Sequence, residues 1–173
     1  TNTGASTVML SATDGTWSIA TGDLDTDLGN SIKYSGALTV TDIASSDEAA
    51  ALTMYTTAKT GATTNTLTAT DNNWSVTKGN LDTALAANVR FAGDLAVSSI
   101  TAEKAAIYSY TTTLTGATTV TLSAVDTNWS IDADDLTESL ADGVRLAGAL
   151  TVEKIESGNE TAALTAYTDA LTG

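Results

Sequence analysis

Three copies of one unit run through the 173-residue chain, beginning at Gly4, Gly61 and Gly116. The copies occupy 1–60, 61–115 and 116–172, and Gly173 stands as the first residue of a further copy. Residues 61–100 agree with 116–155 at 21 of 40 positions. Asp14, Asp71 and Asp126 fall in register, as do Trp17, Trp74 and Trp129, then Leu24, Leu81 and Leu136, then Lys33, Arg90 and Arg145. After a two-residue gap in the middle copy, Glu48, Glu103 and Glu160 align, followed by Tyr55, Tyr110 and Tyr167. A unit of roughly 56 residues lies near the size at which a lone core is marginal, so neighbouring copies must cover what each leaves exposed. Positions that persist through drift in all three copies read as framework.

Within a copy, Val144, Leu146, Gly148, Leu150 and Val152 keep one face apolar at a period of two, which is a strand pattern. Residues 32–40 and 89–97 repeat it, and the central Gly36, Gly93 and Gly148 suggest a bulge, a close backbone approach or a split strand. Upstream, 119–124 and 129–131 flank Val-Asp-Thr-Asn, with Thr-Asp-Gly-Thr and Thr-Asp-Asn-Asn in the other copies; such junctions predict a hairpin turn. Leu136 and Leu140, four apart and preceded by Asp132, Asp134 and Asp135, predict a short helix with an acidic start. Leu164, Tyr167 and Leu171 predict a second, matched by Ile107, Tyr110 and Leu114. The expected fold is an α/β repeat protein of three stacked units, each strand, strand, helix, strand, helix. The alternative is all-β repeats, with the Thr-rich 109–121 extended.

Composition narrows function by exclusion. With no Cys and no His there is no disulfide, thiolate or imidazole ligand, and no Ser/His or Cys/His pair, so no enzyme is expected. Seven Lys plus Arg against 21 Asp plus Glu leave a formal charge of −14, which repels phosphate backbones and anionic headgroups. Nucleic acid is therefore not an expected partner, nor is insertion in a membrane, since the longest uncharged stretch is rich in Thr. The N-terminus lacks a charged segment followed by an apolar one, so no signal peptide is expected in this stretch.

Two acidic clusters are candidate metal ligands. Asp23, Asp25 and Asp27 begin like a calcium loop, yet Leu28 and Tyr34 stand where an EF-hand needs Gly and Glu. Asp132, Asp134 and Asp135 form the second cluster, and the middle copy offers only Asp82. Helix capping and solvated charge are the plain reading, a non-EF-hand calcium site the alternative, and no other cofactor is expected. The Trp of Asp-x-x-Trp-Ser could stack on a sugar, but an apolar residue two positions on in every copy favours a buried anchor. Lys33, Arg90 and Arg145 read as outward-facing partners in ion pairs. Asn73, Asn128 and Asn159 each open a formal N-glycosylation sequon.

The Thr-, Ala-, Asp- and Gly-rich repeat contains Ala37-Leu-Thr-Val-Thr-Asp-Ile and Ala149-Leu-Thr-Val-Glu-Lys-Ile, each before an Ala-rich segment. In this style it resembles tandem arrays of giant bacterial surface proteins and adhesins. The resemblance implies an extracellular or cell-surface location and a spacer, adhesive or fibre-forming role. The expected function is a structural tandem-repeat protein that forms an extracellular rod, filament or surface layer by end-to-end stacking, its partners being neighbouring repeats or identical subunits. The alternative is an adhesin module contacting glycans or calcium through acidic loops and Trp-bearing turns.

Overall fold

A computed structural model of the chain describes residues 6–173; Gly4, the first residue of the first copy, lies outside them. Each copy supplies two strands, a helix between them, and two short helices after the second. The first contains β1 (Val8–Ala20), α1 (Thr21–Gly29), β2 (Ile32–Ile43), α2 (Glu48–Met54) and α3 (Thr57–Thr60), with a 3-10 turn at Ser45–Asp47. The second contains β3 (Thr64–Thr77), α4 (Lys78–Ala86), β4 (Val89–Ile100), α5 (Glu103–Ser109) and α6 (Thr112–Thr115). The third contains β5 (Thr119–Asp132), α7 (Ala133–Ala141), β6 (Val144–Glu153), α8 (Glu160–Ala166) and α9 (Asp169–Thr172).

The six strands belong to one sheet in sequence order, which corrects the expectation of three stacked units and excludes an all-β repeat. β1 pairs with β2 and β5 with β6 inside a copy, while β2 pairs with β3 and β4 with β5 across the copy boundary, all in parallel. The physical reason lies in the second strand of each copy. Its outer row of N–H and C=O groups needs partners, and the first strand of the next copy supplies them, so copies join by hydrogen bonds rather than by packing of finished units.

The strands flanking Asp-x-x-Trp are one strand, not a hairpin. Val8–Ser11 and Thr16–Ala20 both pair with β2 in the same direction, and between these runs β1 takes five steps while β2 takes two, from Ser35 to Ala37. β5 repeats this between Ser123 and Asn128, opposite Ala147 and Ala149. The Asp, Asn and Gly residues form a bulge that loops out of a continuing strand. A single positive-φ residue in each, Gly15, Asn72 or Thr127, kinks the chain without reversing it.

The second predicted helix is two. It breaks at Tyr55, Tyr110 and Tyr167, after which Thr56, Thr111 and Thr168 are extended and begin a further turn. Thr111 Oγ1 accepts the Leu114 amide at 3.3 Å, an N-cap that restarts the helix. Residues 112–115 are thus helical in the stretch that the all-β alternative takes as extended.

By contact density the chain divides into two compact units, Thr1–Trp74 with Gly79–Gly93, and Ser75–Lys78 with Asp94–Gly173. In the first, Leu24, Tyr34, Leu38, Val40, Leu67, Trp74, Leu81 and Phe91 are buried, and Phe91 meets Trp74 edge-on with centroids 5.1 Å apart. In the second, Leu95, Val97, Ile107, Val120, Leu122, Trp129, Leu136 and Leu146 form the core. Both cores consist of alternate strand positions and the Leu of the intervening helices, as the period-two and four-residue spacings require, joined in the second by Ile107 of α5.

Candidate functional site

The bulge is the most complete repeated constellation. In each copy the Asp carboxylate accepts the amide two residues on: Asp14 from Thr16 at 3.1 Å, Asp71 from Asn73 at 3.0 Å and Asp126 from Asn128 at 3.1 Å. At Asp14 the backbone and hydroxyl of Thr16 hold the carboxyl below its usual range. The Trp that follows donates its indole N–H across to the neighbouring strand: Trp17 to Ser35 O at 3.0 Å, Trp74 to Ala92 O at 3.1 Å and Trp129 to Ala147 O at 3.0 Å.

The residue after each accepting carbonyl is the central glycine. A Cβ at Gly36, Gly93 or Gly148 would stand 2.1, 2.2 or 2.3 Å from the carbonyl oxygen of Gly15, Asn72 or Thr127 in the bulge. Gly93 has φ +99°, which L side chains rarely adopt, so conformation and contact both require glycine. β2 and β4 continue through their glycines unsplit. Asp, Trp and Gly therefore form one clasp per copy. Trp74 and Trp129 are buried, and Trp17, on the first strand, is half-buried.

The acidic clusters tie elements together. Asp23, Asp25 and Asp27 lie along α1 at two-residue intervals, so successive carboxylates point to different sides of the helix. Tyr34 Oη donates to Asp27, and Tyr55 Oη to Asp25 at 2.9 Å. Burial and these bonds push both phenols well above the usual range. In the third copy Asp132 precedes α7 but makes no side-chain cap; it meets Lys154 Nζ at 2.7 Å. Asp135 takes Lys104 Nζ at 2.5 Å and Tyr108 Oη at 2.6 Å, which hold its carboxyl below the usual range and raise Lys104. Asp134 is exposed in the first turn of α7. Among the described residues no three acidic side chains converge where a metal ion could sit.

The basic residue of each copy caps a helix. Arg90 Nη1 donates to Leu85 O and Val89 O at 3.5 and 2.9 Å, Arg145 Nη1 to Leu140 O and Val144 O at 3.2 and 2.9 Å, and Lys33 Nζ to Ala58 O at 3.4 Å and to Lys59 O. Cations at helix C-terminal carbonyls satisfy groups that the helix leaves open and complement its dipole. Asn73 and Asn128 are exposed at the bulge, each donating to the carbonyl of its Asp at 2.8 and 2.7 Å; Asn159 is exposed before α8. Tyr167 Oη reaches Ala133 O at 3.1 Å and Thr137 Oγ1 at 2.9 Å.

Glu103 aligns with Glu48 and Glu160, an alignment that by itself assigns it no role. In the structure Glu103 Oε2 accepts the Ser130 amide at 2.9 Å, linking the end of the second copy to the strand of the third. Lys104 and Tyr108, which hold Asp135, carried no signal because neither residue type recurs at its position.

A shallow groove beside α1 and α2 holds about 150 Å³, between Thr21, Asp25, Ile43, Ala50, Met54 and Tyr55. The third copy has its counterpart, about 370 Å³, between Ala133, Ile155, Asn159, Ala162, Ala166 and Tyr167. Their linings mix Ala and aliphatic side chains with charged ones, Asp25 and Asp47 in the first copy and Asp134, Lys154 and Glu156 in the third. Among the described residues no helix is long and apolar enough to cross a membrane. No protein-family model, no characterised protein and no solved structure matches the chain.

Proposed function

We propose that the chain is a structural element, a tandem-repeat sheet that serves in a rod, filament or surface layer at the cell exterior. One observation carries this reading: the recurring residues are spent on framework, the Asp, Trp and Gly within each copy and Glu103 between two copies. The Asp of each bulge bonds its own turn, the Trp indole bonds the next strand, the glycine admits the bulge, and Glu103 bonds the strand of the following copy. A ligand-binding repeat would keep polar groups turned outward in every copy. Here the acidic positions around the first helix of each copy vary, and Asp25, Asp27, Asp132 and Asp135 engage tyrosines or lysines of the chain itself. The exterior setting rests on the resemblance of the repeat to surface arrays. Electron microscopy of native material, averaged along any fibre axis, tests the role. Polymers with an axial repeat matching this three-copy block are the expected result. Isolated chains with free ends that bind glycans would reject it for the adhesin reading.

A further inference from the structure

The last copy keeps, exposed, the surface that the first two copies use to receive a neighbour. Leu38, Leu95 and Leu150 occupy one position, as do Val40, Val97 and Val152, and Ile43, Ile100 and Ile155. In the first two copies all six are buried against the next strand; in the third, Leu150 and Val152 are half-buried and Ile155 is exposed. The following helix shows the same contrast more sharply. Leu52 is 3% exposed and Ile107 0%, while their counterpart Leu164 is 78% exposed. In the second copy that helix, α5, packs on β5 and α7 of the third. The three strand positions keep Leu, Val and Ile in every copy, and the helix position keeps Leu or Ile.

The opposite edge carries the matching strand. β1 presents Val8, Leu10, Ala12, Trp17 and Ile19 where β5 presents Val120, Leu122, Ala124, Trp129 and Ile131. All five are buried in β5, whereas in β1 all five are half-buried and neighbouring Met9 is 55% exposed.

We propose that β6 of one chain accepts β1 of a second copy of this chain as the next parallel strand, joining molecules head to tail through the interface that joins the repeats. The inference rests on the structural role proposed above and names its partner. Its register follows from the two pairings inside the chain. β2 pairs Leu38 with Asn65, Thr39 with Thr66, Val40 with Leu67 and Ile43 with Ala69, and β4 pairs Leu95, Ala96, Val97 and Ile100 with Val120, Thr121, Leu122 and Ala124. The counterpart pairs Leu150 with Val8, Thr151 with Met9, Val152 with Leu10 and Ile155 with Ala12 of the second copy. Leu164 then covers β1 and α1 of that copy as Ile107 covers β5 and α7, and Glu160 reaches the Ser18 amide as Glu103 reaches that of Ser130. Because the two joined surfaces differ, the contact is heterologous and propagates into an open filament unless its rotation closes a ring. Backbone pairing of an exposed sheet edge supplies affinity, and alternate side chains supply specificity.

The absence of cysteine makes cross-linking clean. Residues paired on neighbouring strands lie within disulfide reach, so a Met9→Cys chain mixed with a Thr151→Cys chain under oxidation should yield a covalent heterodimer. Ser11→Cys, two positions along β1, should yield far less with Thr151→Cys. Leu164→Asp should abolish association in sedimentation velocity while leaving the melting of the chain unchanged at dilutions where parent and variant are both monomeric, since the side chain it replaces is solvated. A chain that stays monomeric up to about 1 mM and gives no Met9–Thr151 product overturns the proposal. So does cross-linking of Thr151→Cys with itself, which would mean like edges pairing. If docking fails while native material shows polymers, the structural role stands with a different chain on the edge; in-register docking without native polymers rejects the role and keeps the contact.

Discussion

Trp74 is 1% exposed and still satisfies its indole N–H, so removing it opens a cavity and orphans the Ala92 carbonyl together. Trp74→Ala should cost about 3–5 kcal/mol. Trp17 makes the same bond at 3.0 Å but stands on the uncovered first strand, so Trp17→Ala should cost clearly less. Urea titrations of both variants at unchanged m-value measure the difference, and equal losses would contradict a covering role for the neighbouring copy. Tyr34 adds a pH dependence. Burial first, and then its bond to Asp27, raises this phenol above its usual range. An unfolded tyrosine ionises near about pH 10, so the contribution is full below that value and is lost as pH climbs toward the higher native one. Tyr34→Phe should flatten the alkaline fall in stability, and superimposable alkaline limbs for variant and parent would refute the assignment.

Thr115 shows how a short element depends on one hydroxyl. Fully buried as the last residue of α6, it donates to Thr111 O at 2.9 Å and accepts the Ala117 amide at 3.3 Å, fixing the turn into β5. Thr60 does the same before β3, accepting the Ala62 amide at 3.2 Å. Thr115→Val keeps the shape and strands a buried amide, so it should cost about 1–3 kcal/mol in thermal melts, while Thr115→Ser should restore most of the loss. Melts that do not separate Val from Ser would mean the hydroxyl is idle. The elements were legible in proportion to how local their cause is. The Leu24, Leu81 and Leu136 helices follow from spacing and charge, and the glycine of β2 and β4 was readable as a close approach. Strand direction was not, because alternation of apolar residues is the same for parallel and antiparallel pairing. Thus Asp-Asn-Asn before Trp74 reads as a reversal although it is a bulge. The break at Tyr110 was hidden too, since Ile107, Tyr110 and Leu114 keep helical spacing across it. Of the candidate site, the Asp, Trp and Gly positions stood out by recurrence, but which carbonyl each Trp would reach depends on strand order, which no local pattern encodes.

At the scale of the whole molecule, continuity of the sheet and net charge oppose each other. Each chain carries −14, and joining two edges brings that charge together along a sheet whose paired residues are almost all uncharged. Attraction at the joint is apolar and backbone in origin, with Leu150, Val152, Ile155 and Leu164 supplying the surface, whereas repulsion acts over the Debye length. Salt screens the second and leaves the first intact. Raising sodium chloride from about 0.02 to 0.5 M shortens the screening length severalfold, so association and melting temperature should both rise. Sedimentation velocity and thermal melts across that range provide the measurement. A fall in association with salt would mean that ion pairs hold the joint, which nothing in the β2–β3 or β4–β5 pairings resembles. Calcium at matched ionic strength separates the remaining alternative: a divalent ion that only screens gives a modest gain reversed by simple dilution, while a rise of several degrees abolished by EDTA would place a bound ion among Asp23, Asp25 and Asp27 and move the molecule toward the adhesin reading. Screening alone is the expected outcome, because Asp25 and Asp27 are already committed to Tyr55 and Tyr34 and a cation would have to displace both hydroxyls.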